Sequence, residues 1–140
     1  MAQPMEGLLA DHGVLIFALN TTEDHKEYLN IQATLRWHGL EADRLVRAEG
    51  FYGGEIEASY IFPYSAEAER VVRDLTKEHN QESILFIDGD GEVTLIYLDS
   101  IFQRPYVDEY LGKIEEVTCS EAHTLGAYTR LGHSYYAVKE

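Results

Sequence analysis

The segment Gly50-Phe-Tyr-Gly-Gly-Glu-Ile-Glu-Ala-Ser-Tyr60 gathers side chains suited to holding a polar ligand. Side chains alternate along a strand, so Glu55, Glu57 and Ser59 share one face while Ile56, Ala58 and Tyr60 share the other. Two carboxylates and a hydroxyl beside Gly53-Gly54, where backbone can approach a ligand closely, make a polar pocket. The same pattern also fits the solvated face of a two-sided strand. A second place is Gln81-Glu82, at the joint between a helix and a buried strand. An acid at a helix C-terminus meets the unfavourable end of the dipole. That mild cost fits either a functional position or a plain polar helix end.

Other chemistries are missing from the pattern. The chain has no GxxxxGK[ST] loop and no GxGxxG. Cys119 is its single cysteine, which excludes an intrachain disulfide and a CxxC metal site. That suits a reducing cytosol. His12, His25, His38, His79, His123 and His133 show no HxH or HExxH spacing and read as surface or capping residues, so no metal and no cofactor is expected. Tyr128, Tyr135 and Tyr136 either stack an adenine ring or pack in a core or interface with the hydroxyl wet.

The elements that must position these residues follow from hydrophobic period and turn chemistry. Residues 13–20 are a nearly continuous apolar run, as in a strand buried on both faces. Thr21-x-x-Asp24 resembles a helix start, Tyr28, Ile31, Gln32 and Leu35 share a helical face, and Gly39 is a stop. Residues 44–51 and 55–62 read as two strands joined at Gly53-Gly54. Ser65 is an N-cap for a helix to about Asn80, with Ala68, Val71, Val72 and Leu75 on its apolar stripe. Ser83–Asp88 and Glu92–Leu98 flank Gly89-Asp90-Gly91, a hairpin signal. The pattern is irregular from Ser100 to Ile114-Glu-Glu-Val117. A short hairpin closes the chain, Gly126–Thr129 against Ser134–Val138. This order predicts a single domain over residues 1–140. Its expected fold is a ferredoxin-like βαββαβ antiparallel sheet, α+β, with helices on one face and an added C-terminal β-hairpin.

The 140 residues carry 25 acids against 11 Lys and Arg, a net charge of −14. Nucleic-acid backbones and anionic membranes are both disfavoured partners, since each is bound through cationic side chains. The 45% apolar content and 16 aromatics exclude a disordered acidic tail. Met1–His12 lacks the apolar run of a signal peptide, and no stretch approaches ~20 apolar residues, so the expectation is a cytoplasmic protein.

The order of pieces resembles the phage S-adenosylmethionine lyases, formerly described as S-adenosylmethionine hydrolases. The similarity runs from the first strand to the C-terminus. It is carried by Gly50-x-Tyr52 with Glu57, by Gln81-Glu82-Ser-Ile-Leu-Phe86 with Leu95-Ile-Tyr97, and by Gly126-Ala-Tyr-Thr129 with Tyr135-Tyr136-Ala-Val138. The Gly-Tyr segment varies in length within that family. Either Glu55 or Glu57 is therefore the equivalent acid, with Glu57 preferred.

The resemblance implies a small cytoplasmic enzyme of the infected host. It would be trimeric, with sites between subunits, and would destroy S-adenosylmethionine to defeat restriction. The implied reaction is attack of the substrate's own carboxylate on its γ-carbon, giving 5′-methylthioadenosine and homoserine lactone. On this reading Glu57 takes the substrate ammonium and Tyr52 supports the methionyl part or the sulfonium. Glu55 and Ser59 line the pocket, and Gln81 and Glu82 position the substrate or brace the subunit interface. Two other classes remain: a trimeric nucleotide or S-adenosylmethionine sensor without turnover, and an acidic DNA mimic that blocks a DNA-binding enzyme.

Overall fold

A computed structural model describes residues 12–18, 24–52, 54–79, 81, 83–97 and 108–139. The apolar run near the start forms β1 (Val14–Ala18). It is followed by α1 (Asp24–Trp37), a 3-10 turn (Ala42–Arg44), β2 (Val46–Tyr52) and β3 (Glu55–Pro63). Then come α2 (Ala66–Glu78), β4 (Ser83–Ile87), β5 (Glu92–Tyr97) and β6 (Glu109–Val117). The chain ends with α3 (Cys119–Leu125), β7 (Ala127–Leu131) and β8 (Ser134–Lys139).

The eight strands form a closed antiparallel barrel in the order β1-β3-β2-β7-β8-β6-β5-β4. The expected open ferredoxin-like sheet is therefore incorrect. In such a sheet β2 and β4 would be edges. Here β2 pairs with β7 through Glu49↔Arg130 to Tyr52↔Ala127, and β4 pairs with β5. The C-terminal hairpin is not an addition beside the sheet. It is inserted into the wall between β2 and β6. Closure leaves no row of unpaired backbone groups at an edge. The helices are not confined to one face either, because α3 covers a different sector of the wall from α1 and α2.

Alternation along each strand divides the apolar residues between the lumen and the outer wall. Val14, Ile16, Ile61, Ile87, Val93, Leu131 and Tyr136 fill the lumen. Leu15, Phe17, Tyr60, Phe62, Ile84 and Ile96 face outward, under Ile31 and Leu35 of α1 and Ala68, Val71, Val72 and Leu75 of α2. The run in β1 is thus apolar on both faces because one face meets the lumen and the other meets the helices.

Local capping follows the residue types. Ser65 accepts a hydrogen bond from the Ala68 amide at 3.0 Å and starts α2. Asp88 accepts from the Asp90 and Glu92 amides at 2.9 and 3.0 Å, which shapes the β4–β5 turn. Gly39 takes φ +77° after α1. The proposed start of α1 at Thr21 and Thr22 lies outside the described residues.

Candidate active site

The β2–β3 hairpin pairs Tyr52 with Glu55, Gly50 with Glu57 and Ala48 with Ser59. Neither strand is bulged in this register. Ala48, Gly50 and Tyr52 therefore share the lumen-facing side with Val46, and Glu55, Glu57 and Ser59 share it with Ile61. All four of Tyr52, Glu55, Glu57 and Ser59 stand on one stretch of wall, at the barrel mouth where β2 ends and β3 begins. Ser59 is buried, at 6% exposure, whereas Glu55 and Glu57 are open to solvent and Tyr52 is 81% exposed.

Gly50 is what allows Ser59 to turn inward. A Cβ built on Gly50 would lie 2.5 Å from the Ser59 hydroxyl oxygen. The glycine is thus a packing requirement of the strand pair as well as a neighbour of Glu57. On the outward side Tyr60 is fully buried, 5.7 Å from the Phe17 ring and 6.4 Å from the Tyr28 ring. Burial pushes its phenol above the ordinary range, with Arg47 pulling it down and Glu27 adding to the rise.

Gln81 is half-buried, and its amide donates to the Thr76 carbonyl at 3.0 Å, so it closes the end of α2 as the chain enters β4. The start of β4 belongs to the same mouth, because β1 lies between β3 and β4, antiparallel to both, and pairs Ala18 with Ser59 and Ile16 with Leu85. Gln81 is on a neighbouring part of the rim from Glu57, two strands away. Glu82 lies outside the described residues.

In the sequence Tyr97 figures only within the Leu95-Ile-Tyr97 segment of the family resemblance, with no site role, and Glu109 is not singled out. Antiparallel order brings the end of β5 and the start of β6 to this mouth as well. Tyr97 pairs with Ser83 and shares the lumen side with Val93, while Glu109 pairs with Leu95. The Tyr97 hydroxyl donates to Glu109 Oε2 at 3.0 Å. The alternation Val93, Leu95, Tyr97 is the signal that places Tyr97 on the lumen side. Glu109 lies in the stretch whose pattern is irregular.

The tyrosines considered for adenine stacking are engaged within the protein. Tyr136 is in the lumen at 2% exposure. Tyr128 stacks on Phe51 at 5.2 Å and meets Tyr135 edge-on at 5.2 Å, on the outer wall under α3. His123 packs 5.3 Å from Tyr128. A hydrogen bond with Cys119 pushes the Tyr135 phenol up, and Arg130 opposes that shift. A groove between α1 and α2, lined by Thr34, His38, Val71, Asp74, Leu75 and Glu78, is on the outer side and apart from the mouth. Among the described residues no three His, Cys, Asp or Glu side chains gather as metal ligands, and no helix is long and apolar enough to cross a membrane.

The mouth can hold a cation with its exposed carboxylates and offers hydroxyls and amides for orientation. A model of the S-adenosylmethionine lyase family matches residues 17–139, which takes in the end of β1 and the other seven strands of the barrel. A search of curated proteins finds no match.

Proposed function

Since the chain belongs to the S-adenosylmethionine lyase family, we propose that it cleaves S-adenosylmethionine to 5′-methylthioadenosine and homoserine lactone. The observation that carries this reading is the lumen-facing set Tyr52, Glu55, Glu57 and Ser59 at one barrel mouth. The substrate carboxylate oxygen attacks its own γ-carbon, the γ-carbon–sulfur bond breaks, and the electron pair goes to sulfur. Both charges of that pair of groups disappear, and the ammonium is unchanged. No protein nucleophile or base is consumed.

The protein must then fold the substrate and shed water from its reacting groups. Intramolecular reactions in good geometry reach effective molarities of ~10⁵ M or more, about 7 kcal/mol of barrier. Water exclusion also suppresses hydrolysis to homoserine. Glu57 takes the ammonium through a charge-assisted hydrogen bond. Glu55 is the alternative acid, one step nearer the hairpin tip. Tyr52 supports the methionyl chain or the sulfonium, Ser59 lines the floor, and Gln81 orients the substrate from the adjoining rim; Glu82 is assigned a positioning role by the family likeness alone.

A single mouth leaves Tyr52 and Glu57 open to water. A second copy of the chain laid over the mouth would supply the missing cover, which supports sites between subunits of a homotrimer. Ile56, 63% exposed on the outer side of the same hairpin, fits burial in that contact. The biological role that suits this activity is a phage protein in the host cytoplasm that depletes S-adenosylmethionine and so disarms restriction. The test is release of methylthioadenosine by purified protein. Glu57→Gln is expected to keep the wild-type circular dichroism and lose turnover by roughly 100-fold or more, as for loss of a buried charge-assisted contact. Near wild-type turnover in that variant removes Glu57 from its role.

A further inference from the structure

Resting on the S-adenosylmethionine reading, we propose that Glu109 is a second substrate-binding carboxylate that holds the ribose diol, with Tyr97 as its positioning residue. Around the eight-strand ring β6 is four strands from β3 in either direction, so Glu109 stands across the lumen from Glu57. Side chains fill the lumen below the rim, so a ligand that touches both opposite walls lies across the mouth above them. The substrate has two polar ends separated by its sulfonium: an ammonium on the methionyl side and a vicinal diol on the ribose. With the ammonium at Glu57, the diol reaches toward the opposite wall.

The chemistry of that wall fits a diol. A carboxylate accepts two hydroxyl hydrogens, one on each oxygen. Tyr97 donates to Oε2 at 3.0 Å, which fixes the carboxylate's orientation and leaves Oε1 and the second lone pair of Oε2 for the ligand. The tyrosine is held in turn by its strand pairing with Ser83. The lumen side of β5 and β6 places both groups at the same mouth as Tyr52 and Glu57.

Methylthioadenosine separates this inference from the cleavage reading, since it carries the diol and lacks the ammonium. Calorimetric titration of the full chain with methylthioadenosine is expected to show Glu109→Gln binding about 10- to 100-fold more weakly than wild type, as for loss of hydrogen bonds to a charged group. Glu57→Gln is expected to bind it as wild type does. With S-adenosylmethionine, Tyr97→Phe should raise KM and leave kcat unchanged. With S-methylmethionine, which has no ribose, Glu109→Gln and wild type should turn over equally. Failure of wild type to cleave either sulfonium, with the titration pattern intact, would count against the lyase reading alone. Unchanged methylthioadenosine affinity in Glu109→Gln, no affinity in wild type, or an equal loss in Glu57→Gln overturns the role of Glu109.

Discussion

At the residue scale the account depends on which side chains face the lumen. The shared face of Glu55, Glu57 and Ser59 was legible because alternation in a strand is local physics and β3 carries no bulge. The need for glycine at position 50 was not legible, since it arises from Ser59 on the neighbouring strand. Gly50→Ala forces the Ser59 hydroxyl to move, and it should cost about 1–3 kcal/mol as overpacking in a core does. In a Ser59→Ala background the clash disappears, and most of that cost should vanish in a double-mutant cycle measured by urea unfolding. Full additivity of the two substitutions would mean that they do not touch. The tyrosines show the opposite limit. Composition marked Tyr128 and Tyr135 as possible stacking surfaces, but Phe51, on which Tyr128 stacks, comes from a distant strand, and His123, which packs on both tyrosines, sits on a short helix whose period is too brief to read.

At the element scale, capping and periodicity worked wherever the signal lay within one element. The stripe of α2 is buried at Ala68, Val71, Val72 and Leu75, and Ser65 caps it. The same signals were present for α3 and went unread. Thr118 accepts from the Glu121 amide at 3.1 Å, and Gly126 ends the helix at φ +78°. Seven residues were too few to show a hydrophobic period, so the two caps stood alone. Because α3 covers Tyr128 and Ala137, its cap contributes to the whole sector. Thr118→Ala should lower unfolding stability by about 1 kcal/mol, read as a shift of the urea midpoint at constant slope. A shift within error would mean that packing against β7 and β8, not the cap, defines the helix.

At the scale of the whole molecule, the open sheet expected from element order gives way to a closed barrel. Sequence order through β4 placed two helices and four strands correctly along the chain. Closure depends on β2 finding β7 and on the full length of β6, and neither long-range pairing has a local signature. The change matters for function, because closure sets β5 and β6 across the lumen from β3 and turns one polar strand face into a mouth with two walls. The charge acquires a role at this scale too. Three copies would carry three times −14, or −42, a field that favours a cationic substrate over anionic nucleotides, although salt screens it within ~8 Å. Ile56→Glu should convert a trimer seen by light scattering into monomers and abolish turnover without unfolding the barrel, whereas full activity in a monomer would place the site within one chain. The central claim is most directly tested by incubating the wild-type protein with S-adenosylmethionine and resolving the products by chromatography at early times. The account predicts equimolar methylthioadenosine and homoserine lactone, and unchanged substrate or homoserine as the first product would contradict it.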